Sequence, residues 1–262
     1  MPNDKLIAEK DGAIAHLTFN NPERRNAISF AMWQALPEVL EDFAVDETVR
    51  VVILKGAGGK AFSAGNDISE FKERRSTKEG IAEYNAATHL AYQTLAGLEK
   101  PTIAMIEGYC VGGGLEVALL CDLQITADNA RFAVTPAKLG LGYKYDDVRL
   151  LVDNVGPRSA KEILFTGRQF SAEEALRMGI VNRVVPPGEL TALVNDYART
   201  IAENAPLSIK AAKKIIAEAI KEPSGVNHDL CQRLVDACHA SEDYKEGQRA
   251  FAEKRKPRFT GR

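Results

Sequence analysis

The sequence predicts an α/β protein in which a parallel sheet is followed by a helical C-terminal region. Two runs of apolar and β-branched residues, Val51–Leu54 and Thr102–Ile106, are typical of strands covered on both faces. One helical pattern precedes the first run, and a longer one lies between the two. After residue 188 only helical patterns remain. Strands separated by helices pair in parallel through right-handed crossovers, so we expect a parallel sheet.

The elements of the first half follow from hydrophobic periodicity. Ala13–Phe19 alternates loosely between apolar and polar residues and predicts a strand. Residues 77–98 predict a long helix that ends close to Pro101. A shorter helix before Val51 is predicted by four apolar residues at helical spacing, which are Trp33, Leu36, Leu40 and Phe43.

The second half opens with a clear helix start signal. Ser171 followed by Glu174 is the pattern of a capping box, and Gly179 stands where a left-handed helix cap is expected. Val181–Val185 then predicts a short strand.

Four helices are expected in the C-terminal region. Two cysteines one heptad apart, Cys231 and Cys238, lie on one face of the third helix, and we expect them to be buried thiols. We therefore divide the chain into a core of residues 1–190 and a helical subdomain of residues 191–262. The predicted helices run from Gly188 to about Ala202, from Pro206 onward, around Leu230–Cys238, and from a cap at Ser241.

Composition narrows the functional classes. The 262 residues include 34 Lys and Arg against 36 Asp and Glu, which gives a net charge of −2 and a pI near 6.2. Without a basic field, neither nucleic acid nor a membrane surface is expected as a partner. No apolar run reaches the roughly 18 residues of a membrane helix, and the first residues lack the apolar segment of a signal peptide, so we expect a cytoplasmic protein. The four cysteines form no C-x-x-C pair, and no metal site is indicated.

Two glycine-containing loops follow the two apolar strands, at positions where open α/β sheets bind ligands. They span residues 61–68 and 107–116. The first lacks the serine-hydrolase motif G-x-S-x-G, because Ala61 replaces its first glycine. The second lacks the dinucleotide motif G-x-G-x-x-G, because Val117 replaces its last glycine.

The second loop has features of an oxyanion site. Gly112–Gly114 opens an apolar helical segment, and free N–H groups at a helix N-terminus stabilise negative charge. If the Asn66 N–H converges on the same point, two donors could hold a carbonyl oxygen as it becomes an enolate. Glu116, surrounded by apolar residues, is a candidate catalytic carboxylate. The alternative is that the glycines permit close packing and that Glu116 only favours the helix dipole.

Taken together, these segments resemble the crotonase superfamily, the enoyl-CoA hydratase/isomerase family, over essentially the whole chain. The resemblance implies a spiral of ββα units with a C-terminal helical subdomain that builds trimers, often paired into hexamers. It also implies a coenzyme A thioester as substrate, with no cofactor beyond the coenzyme A that the substrate carries. The segments that carry the resemblance are residues 20–27, 62–68, 108–116, 164–179 and 246–259.

The resemblance also implies roles for individual residues. Glu116 matches the first of the family's two catalytic glutamates, and the N–H groups of Asn66 and Gly113 match its oxyanion hole. Phosphates of coenzyme A are expected near Arg24. The last helix is expected to approach a coenzyme A site of its own or of a neighbouring subunit. The residues assigned to substrate binding are Arg24, Ala64, Asp67, Ile68, Phe251 and Lys254.

The second catalytic glutamate of the hydratases is missing. Pro136 stands at its position, and the adjacent Ala137 cannot replace it. Addition of water across a double bond needs one group to activate water and another to handle the α-carbon proton, so the acid–base set is incomplete. Asp146 and Asp147 are candidate substitutes, although acidic pairs in loops are usually solvated charges.

Three functions are compatible with this sequence. Hydration of a short or medium 2-enoyl-CoA comes first, because Glu116 and the flanking motifs fit it. Residues 132–143 are similar to methylmalonyl-CoA decarboxylase, where Tyr143 matches a tyrosine near the departing carboxylate, but Asn66 replaces that enzyme's histidine. A non-catalytic acyl-CoA-binding protein is the third alternative, although it would not need two donors for an enolate.

Overall fold

The computed structural model describes residues 4–262, which form two β-sheets and a set of surrounding helices. In chain order the strands are β1 (Leu6–Asp11), β2 (Ile14–Phe19), β3 (Val51–Gly56), β4 (Ala61–Ser63), β5 (Thr102–Ile106), β6 (Tyr109–Val111), β7 (Leu123–Ala127), β8 (Arg131–Ala133), β9 (Phe170–Ser171) and β10 (Arg183–Val185). The α-helices are α1 (Phe30–Val45), α2 (Phe71–Arg74), α3 (Lys78–Gly97), α4 (Gly113–Leu120), α5 (Tyr145–Thr166), α6 (Ala172–Met178), α7 (Pro187–Glu203), α8 (Pro206–Ala219), α9 (His228–Ala240) and α10 (Glu242–Ala252).

The larger sheet has six strands in the order β1-β2-β3-β5-β7-β10. All of its neighbours pair in parallel except the β1–β2 hairpin. The smaller sheet has the order β4-β6-β8-β9, with β8 and β9 antiparallel. The predicted α/β class with a mainly parallel sheet is confirmed.

Strand β3 shows why its sequence is apolar without alternation. Val51 and Ile53 contact the apolar face of α7, including Leu190. Val52 and Leu54 point to the opposite side, into the main core beneath α1 and α3. Each fully buried aliphatic side chain of this kind contributes roughly 1.5–3 kcal/mol. The strand is therefore covered on both faces, as its sequence predicts.

Helix α7 ties the start of the C-terminal region to the sheet. Its buried face, which includes Leu190 and Val194, packs on β3, β5 and β7. The predicted boundary after residue 190 falls inside this helix. Division of the chain into two domains stays a prediction.

The C-terminal helices occur in the predicted order, but the two cysteines on the third of them are not buried as predicted. Helices α8, α9 and α10 follow the predicted order, and α9 packs against α8. Cys231 and Cys238 lie on α9, but both are only half-buried, so the prediction of buried thiols is wrong. The physical reason is that α9 covers no layer of the sheet and has no buried residue in this chain.

No helix within residues 4–262 is long and apolar enough to cross a bilayer. The cytoplasmic location stays a prediction.

Local capping signals are confirmed in detail. The Ser171 hydroxyl accepts a hydrogen bond from the Glu174 N–H at 3.2 Å, and the Glu174 carboxylate accepts one from the Ser171 N–H at 2.8 Å. Gly179 ends α6 in the left-handed conformation, with φ 84°. This reciprocal capping box fixes where α6 begins.

Two glycines allow the two ligand-binding loops to touch. Gly65 has φ 89°, and a Cβ there would lie 2.7 Å from the Val111 carbonyl oxygen. Gly114, in the first turn of α4, packs so tightly on β4 that a Cβ would lie 2.6 Å from the Ser63 carbonyl oxygen. Both distances are shorter than a normal van der Waals contact. The loops therefore meet only because side chains are absent at these two positions.

Gly114→Ala should destabilise the protein by about 1–3 kcal/mol, because the added methyl group overpacks a rigid backbone contact. Gly97→Ala is the matched control, since a Cβ at that helical position meets no atom within 4 Å. The control should be neutral or slightly stabilising. Urea unfolding of both variants measures the difference, and equal stabilities would contradict the packing argument.

Candidate active site

A cavity of about 510 Å³ opens between loop 61–68, helix α3, the start of α4 and the first turn of α5. It is the place where the sequence predictions converge. Six of the predicted site residues line it, namely Ala64, Asn66, Ile68, Gly113, Glu116 and Tyr143. Their roles stay predictions, but the structure brings these six residues together from three separate segments.

The first loop presents the backbone N–H of Asn66. Its neighbours are tied to Ile28, whose N–H donates to the Gly65 carbonyl at 2.7 Å and whose carbonyl accepts from the Asp67 N–H at 2.9 Å. The Asn66 N–H takes no part in this bridge and has no acceptor among residues 4–262. It is therefore available to a ligand in the cavity.

The side chain of Asn66 fixes the loop through two hydrogen bonds to core residues. Its Oδ1 accepts hydrogen bonds from Trp33 Nε1 at 2.9 Å and from the Tyr84 hydroxyl at 3.1 Å. Trp33 is fully buried in the core. These two donors connect the loop to α1 and α3, so the direction of the Asn66 backbone depends on core packing.

Gly113 supplies the second donor. It is the first residue of α4, where N–H groups have no intrahelical acceptor. A Cβ placed on Gly65 would lie 3.2 Å from the Gly113 nitrogen, which shows how closely the two loops approach. The two N–H groups and the positive end of α4 form an environment that stabilises a negatively charged oxygen.

Glu116 lies one turn further along α4. Only 9% of its surface is exposed. Its Oε2 accepts a hydrogen bond from the Tyr92 hydroxyl, and Tyr143 also donates to this carboxylate. Burial raises the pKa of Glu116, and the two tyrosine hydroxyls oppose the shift without cancelling it.

The two tyrosines that donate to Glu116 are held in their neutral form. Burial and the nearby Glu116 charge raise the pKa of Tyr92 and of Tyr143 far above the usual range. Neither hydroxyl releases its proton near neutral pH, so both act as fixed donors to the carboxylate. This arrangement keeps Glu116 available as a base inside an otherwise unfavourable environment.

Arg24 and Asp67 form an ion pair beside the cavity without lining it. Arg24 Nη1 lies 3.0 Å and 3.1 Å from the two Asp67 oxygens. Burial would raise the pKa of Asp67, but hydrogen bonds from Ser69 and Arg24 lower it. The Arg24 guanidinium stays half exposed, next to loop 61–68.

Phe251 and Lys254 are not brought to the cavity of this chain. Phe251 lies on α10 with 89% of its surface exposed. Lys254 follows the end of that helix in a left-handed conformation, with φ 54°. Their predicted contact with coenzyme A therefore requires a second subunit and stays a prediction.

Pro136, where the resemblance implies a second catalytic glutamate, is part of the cavity wall. Pro136 lines it at the start of a short 3-10 turn. Asp146 and Asp147, in the first turn of α5, line the same cavity. Asp146 is exposed and Asp147 is half-buried.

Helix α3 contributes to the site in a way that was not predicted from the sequence. Tyr84, Thr88 and Tyr92 lie four residues apart on one face of this helix and line the cavity. That spacing is visible in the sequence, where a stripe of polar and aromatic residues on a predicted helix is the signal for a site wall. Nothing in the sequence indicated that Trp33 would contact Asn66.

The arrangement is suited to chemistry on a carbonyl compound. Two free N–H groups can hold a carbonyl oxygen as negative charge develops on it, and an adjacent carboxylate can move a proton. Within residues 4–262, no cluster of three or more His, Cys, Asp or Glu side chains is arranged to hold a metal ion. The absence of a cofactor stays an expectation.

Comparisons with known proteins agree on one family. A family model described as enoyl-CoA hydratase/isomerase matches residues 9–262. The short-chain-enoyl-CoA hydratase of Clostridium acetobutylicum is 36% identical, over 98% of this chain and 97% of that protein. The carnitinyl-CoA dehydratase of Escherichia coli O157:H7 is 37% identical, over 99% and 100%. A crystal structure of an enoyl-CoA hydratase/carnithine racemase from Magnetospirillum magneticum is 38% identical with a TM-score of 0.93, covering 100% of this chain and 97% of that one.

Glu116→Gln should make the protein more stable than wild type at neutral pH, because it removes a buried charge while keeping an oxygen that accepts from Tyr92. The raised pKa means that the folded state binds more protons than the unfolded state above the ordinary glutamate pKa of 4.5. Wild-type stability therefore falls as pH rises through this window.

The stability difference between Glu116→Gln and wild type should accordingly be small at about pH 4 and larger at about pH 8. Urea unfolding at both pH values measures it. A difference that stays constant or shrinks with pH would show that the folded structure does not destabilise the Glu116 charge.

Proposed function

Because this chain belongs to the enoyl-CoA hydratase/isomerase family, we propose that it adds water to the double bond of a short 2-enoyl-CoA, with Glu116 activating the water. The observation that carries this proposal is one cavity holding a buried carboxylate and two free backbone donors. An acyl-CoA-binding protein without activity would need neither the base nor the donors.

The proposed reaction begins with the thioester carbonyl bound between the N–H groups of Asn66 and Gly113. Glu116 takes a proton from water, and the resulting hydroxyl adds to the β-carbon. The electron pair of the double bond moves onto the thioester, which becomes an enolate. Its oxygen is stabilised by the two donors and by the positive end of α4. Protonation of the α-carbon completes the hydration.

The position of Tyr143 favours hydration over decarboxylation. In a decarboxylase the tyrosine would face the departing carboxylate, but here Tyr143 hydrogen-bonds Glu116. An anionic Glu116 would also repel a second carboxylate in the same cavity. The sequence alone predicts that Tyr143→Phe has little effect on the rate of a hydratase. Because Tyr143 donates to Glu116 in the structure, we expect this substitution to lower the rate of hydration.

The proposed substrate has a short acyl chain. Apolar side chains of Leu120, Leu139 and Leu150 line part of the cavity and offer contacts to an acyl group. The relative from Clostridium acetobutylicum is named for short-chain enoyl-CoA hydration. Crotonyl-CoA, with four acyl carbons, is the natural first substrate to test.

Coenzyme A is proposed to enter beside loop 61–68. Ala64 and Ile68 line the cavity mouth, and Ile68 is exposed. The half-exposed Arg24 is proposed to meet a phosphate, since Asp67 already holds its guanidinium in a defined place. We also propose that the protein assembles as a trimer or a pair of trimers through its C-terminal helices.

Glu116→Gln should lower the rate of crotonyl-CoA hydration by at least about 10²–10⁴-fold, because it removes the base that activates water. Coenzyme A binding should remain, since Glu116 acts on the acyl part. A spectrophotometric assay of the enoyl thioester and calorimetry with coenzyme A measure the two effects. Full activity of this variant would remove Glu116 from the mechanism, and an inactive wild type would overturn the proposed function.

The wild-type protein should sediment as a trimer or hexamer at micromolar concentration. Phe251→Glu should shift it toward smaller species, because a charge would replace an exposed apolar ring on α10. Val45→Glu is the matched control, as Val45 is also exposed apolar surface but lies on α1. Analytical ultracentrifugation distinguishes the outcomes, and a monomeric wild type would contradict the proposed assembly.

A further inference from the structure

The hydration proposed above leaves one proton without a source. Glu116 removes a proton from water, so another group must protonate the α-carbon. Pro136, at the position of the family's second glutamate, carries no titratable group. The titratable side chains that line the cavity are Arg75, Tyr84, His89, Tyr92, Glu116, Tyr143, Lys144, Asp146 and Asp147.

Besides Glu116, four of these groups are unsuited to donating the proton. The Tyr84 hydroxyl donates to Asn66 Oδ1, and burial raises the pKa of Tyr84 to about 12. Tyr92 and Tyr143 donate to Glu116, and their pKa values are raised far above the usual range. Arg75 stacks on the rings of Phe71 and Tyr84. Arginine also stays protonated in proteins, so it cannot exchange a proton during turnover.

The remaining groups differ in how they are placed. His89, Lys144 and Asp146 are exposed at the rim of the cavity. Asp147 is half-buried, on the turn of α5 that follows Tyr143. Its charge is felt by Glu116, Tyr92 and Tyr143 together. The Lys144 charge also acts on Glu116, but of the four groups only Asp147 is partly buried in the cavity wall.

We propose that Asp147 is the second acid–base residue of this site, giving the α-carbon its proton in hydration and removing it in dehydration. The inference rests on the proposed function. In hydration, Glu116 gains a proton from water, the hydroxyl bonds to the β-carbon, and the enolate takes the Asp147 proton at the α-carbon. Asp147 then ends as carboxylate and Glu116 as acid, and solvent exchange resets both.

The electrostatics of the pair are consistent with this division. Burial raises the pKa of Asp147, although Lys144 lowers it through its charge and its backbone N–H. Asp147 and Glu116 each disfavour the other's charge, so protonation of one carboxylate favours the ionised form of the other. The tyrosine hydroxyls stabilise the anion on Glu116. One carboxylate as base and the other as acid is the starting state that hydration needs.

The test separates α-proton transfer from water addition. The first reaction is hydration of crotonyl-CoA, which needs both carboxylates. The second is exchange of the α-hydrogens of saturated butyryl-CoA with D₂O, followed by mass spectrometry. That exchange needs the oxyanion donors and the residue that transfers the proton at the α-carbon, but it adds no water.

Asp147→Asn should lower both hydration and exchange by at least about 10²-fold. The asparagine oxygen can still accept from the Lys144 N–H, so the first turn of α5 should keep its contact. Glu116→Gln should lose hydration while keeping at least about a tenth of the exchange rate. Asp153→Asn, further along α5 and outside the cavity lining, is the control and should match wild type.

The outcomes distinguish this inference from the proposed function. If wild type hydrates crotonyl-CoA and Asp147→Asn keeps full α-hydrogen exchange, Asp147 is not the acid–base residue. Loss of exchange in Glu116→Gln or in Asp146→Asn instead would assign the role to that residue. Asp147→Glu should recover part of the exchange, and no recovery with cooperative unfolding retained would indicate a structural role only. A wild type that hydrates no enoyl-CoA would overturn the proposed function itself.

Discussion

Burial of the Glu116 carboxylate is the constraint on which the site depends. A carboxylate with so little contact with water is unfavourable unless hydrogen-bond donors are fixed around it. Tyr92 from α3 and the segment carrying Tyr143 must therefore be held against α4. The apolar packing of α3 on α1 stabilises the fold and so offsets the unfavourable burial of this carboxylate. A base with a raised pKa and fixed hydrogen-bond partners is suited to taking a proton from a bound water, as proposed for Glu116.

The same α4 also determines where the substrate oxygen would bind. Its first residue, Gly113, presents a free N–H beside that of Asn66, and Glu116 follows within one turn. Gly65 and Gly114 permit the backbone contacts that bring these groups together. The two free N–H groups and the buried carboxylate are consequently parts of one rigid unit. A shift in the packing of α4 on β4 would displace both at once, which explains why a methyl group at Gly114 is expected to be disruptive.

Pro136 lines the cavity where the resemblance to the family implies a second glutamate. A proline there adds no charge beside Glu116, and the next carboxylate enters from the first turn of α5 instead. Asp147 lies in the first turn of α5, so helix geometry and not a loop determines its position. An acid–base pair would then be split between the starts of two helices, each of which stabilises negative charge through its dipole.

Sequence alone determined the parts of this protein that depend on local burial and local hydrogen bonds. Val51–Leu54 reads as a strand covered on both faces, and Ser171 begins a helix, because periodicity and capping involve neighbouring residues. Short strands such as β4 and β6 carry too few residues for a periodic signal. The prediction that Cys231 is buried was wrong, because its burial depends on what α9 packs against. Only the tertiary structure decided that Tyr92, far from Glu116 in the chain, donates to it, since loop paths and core packing set such contacts.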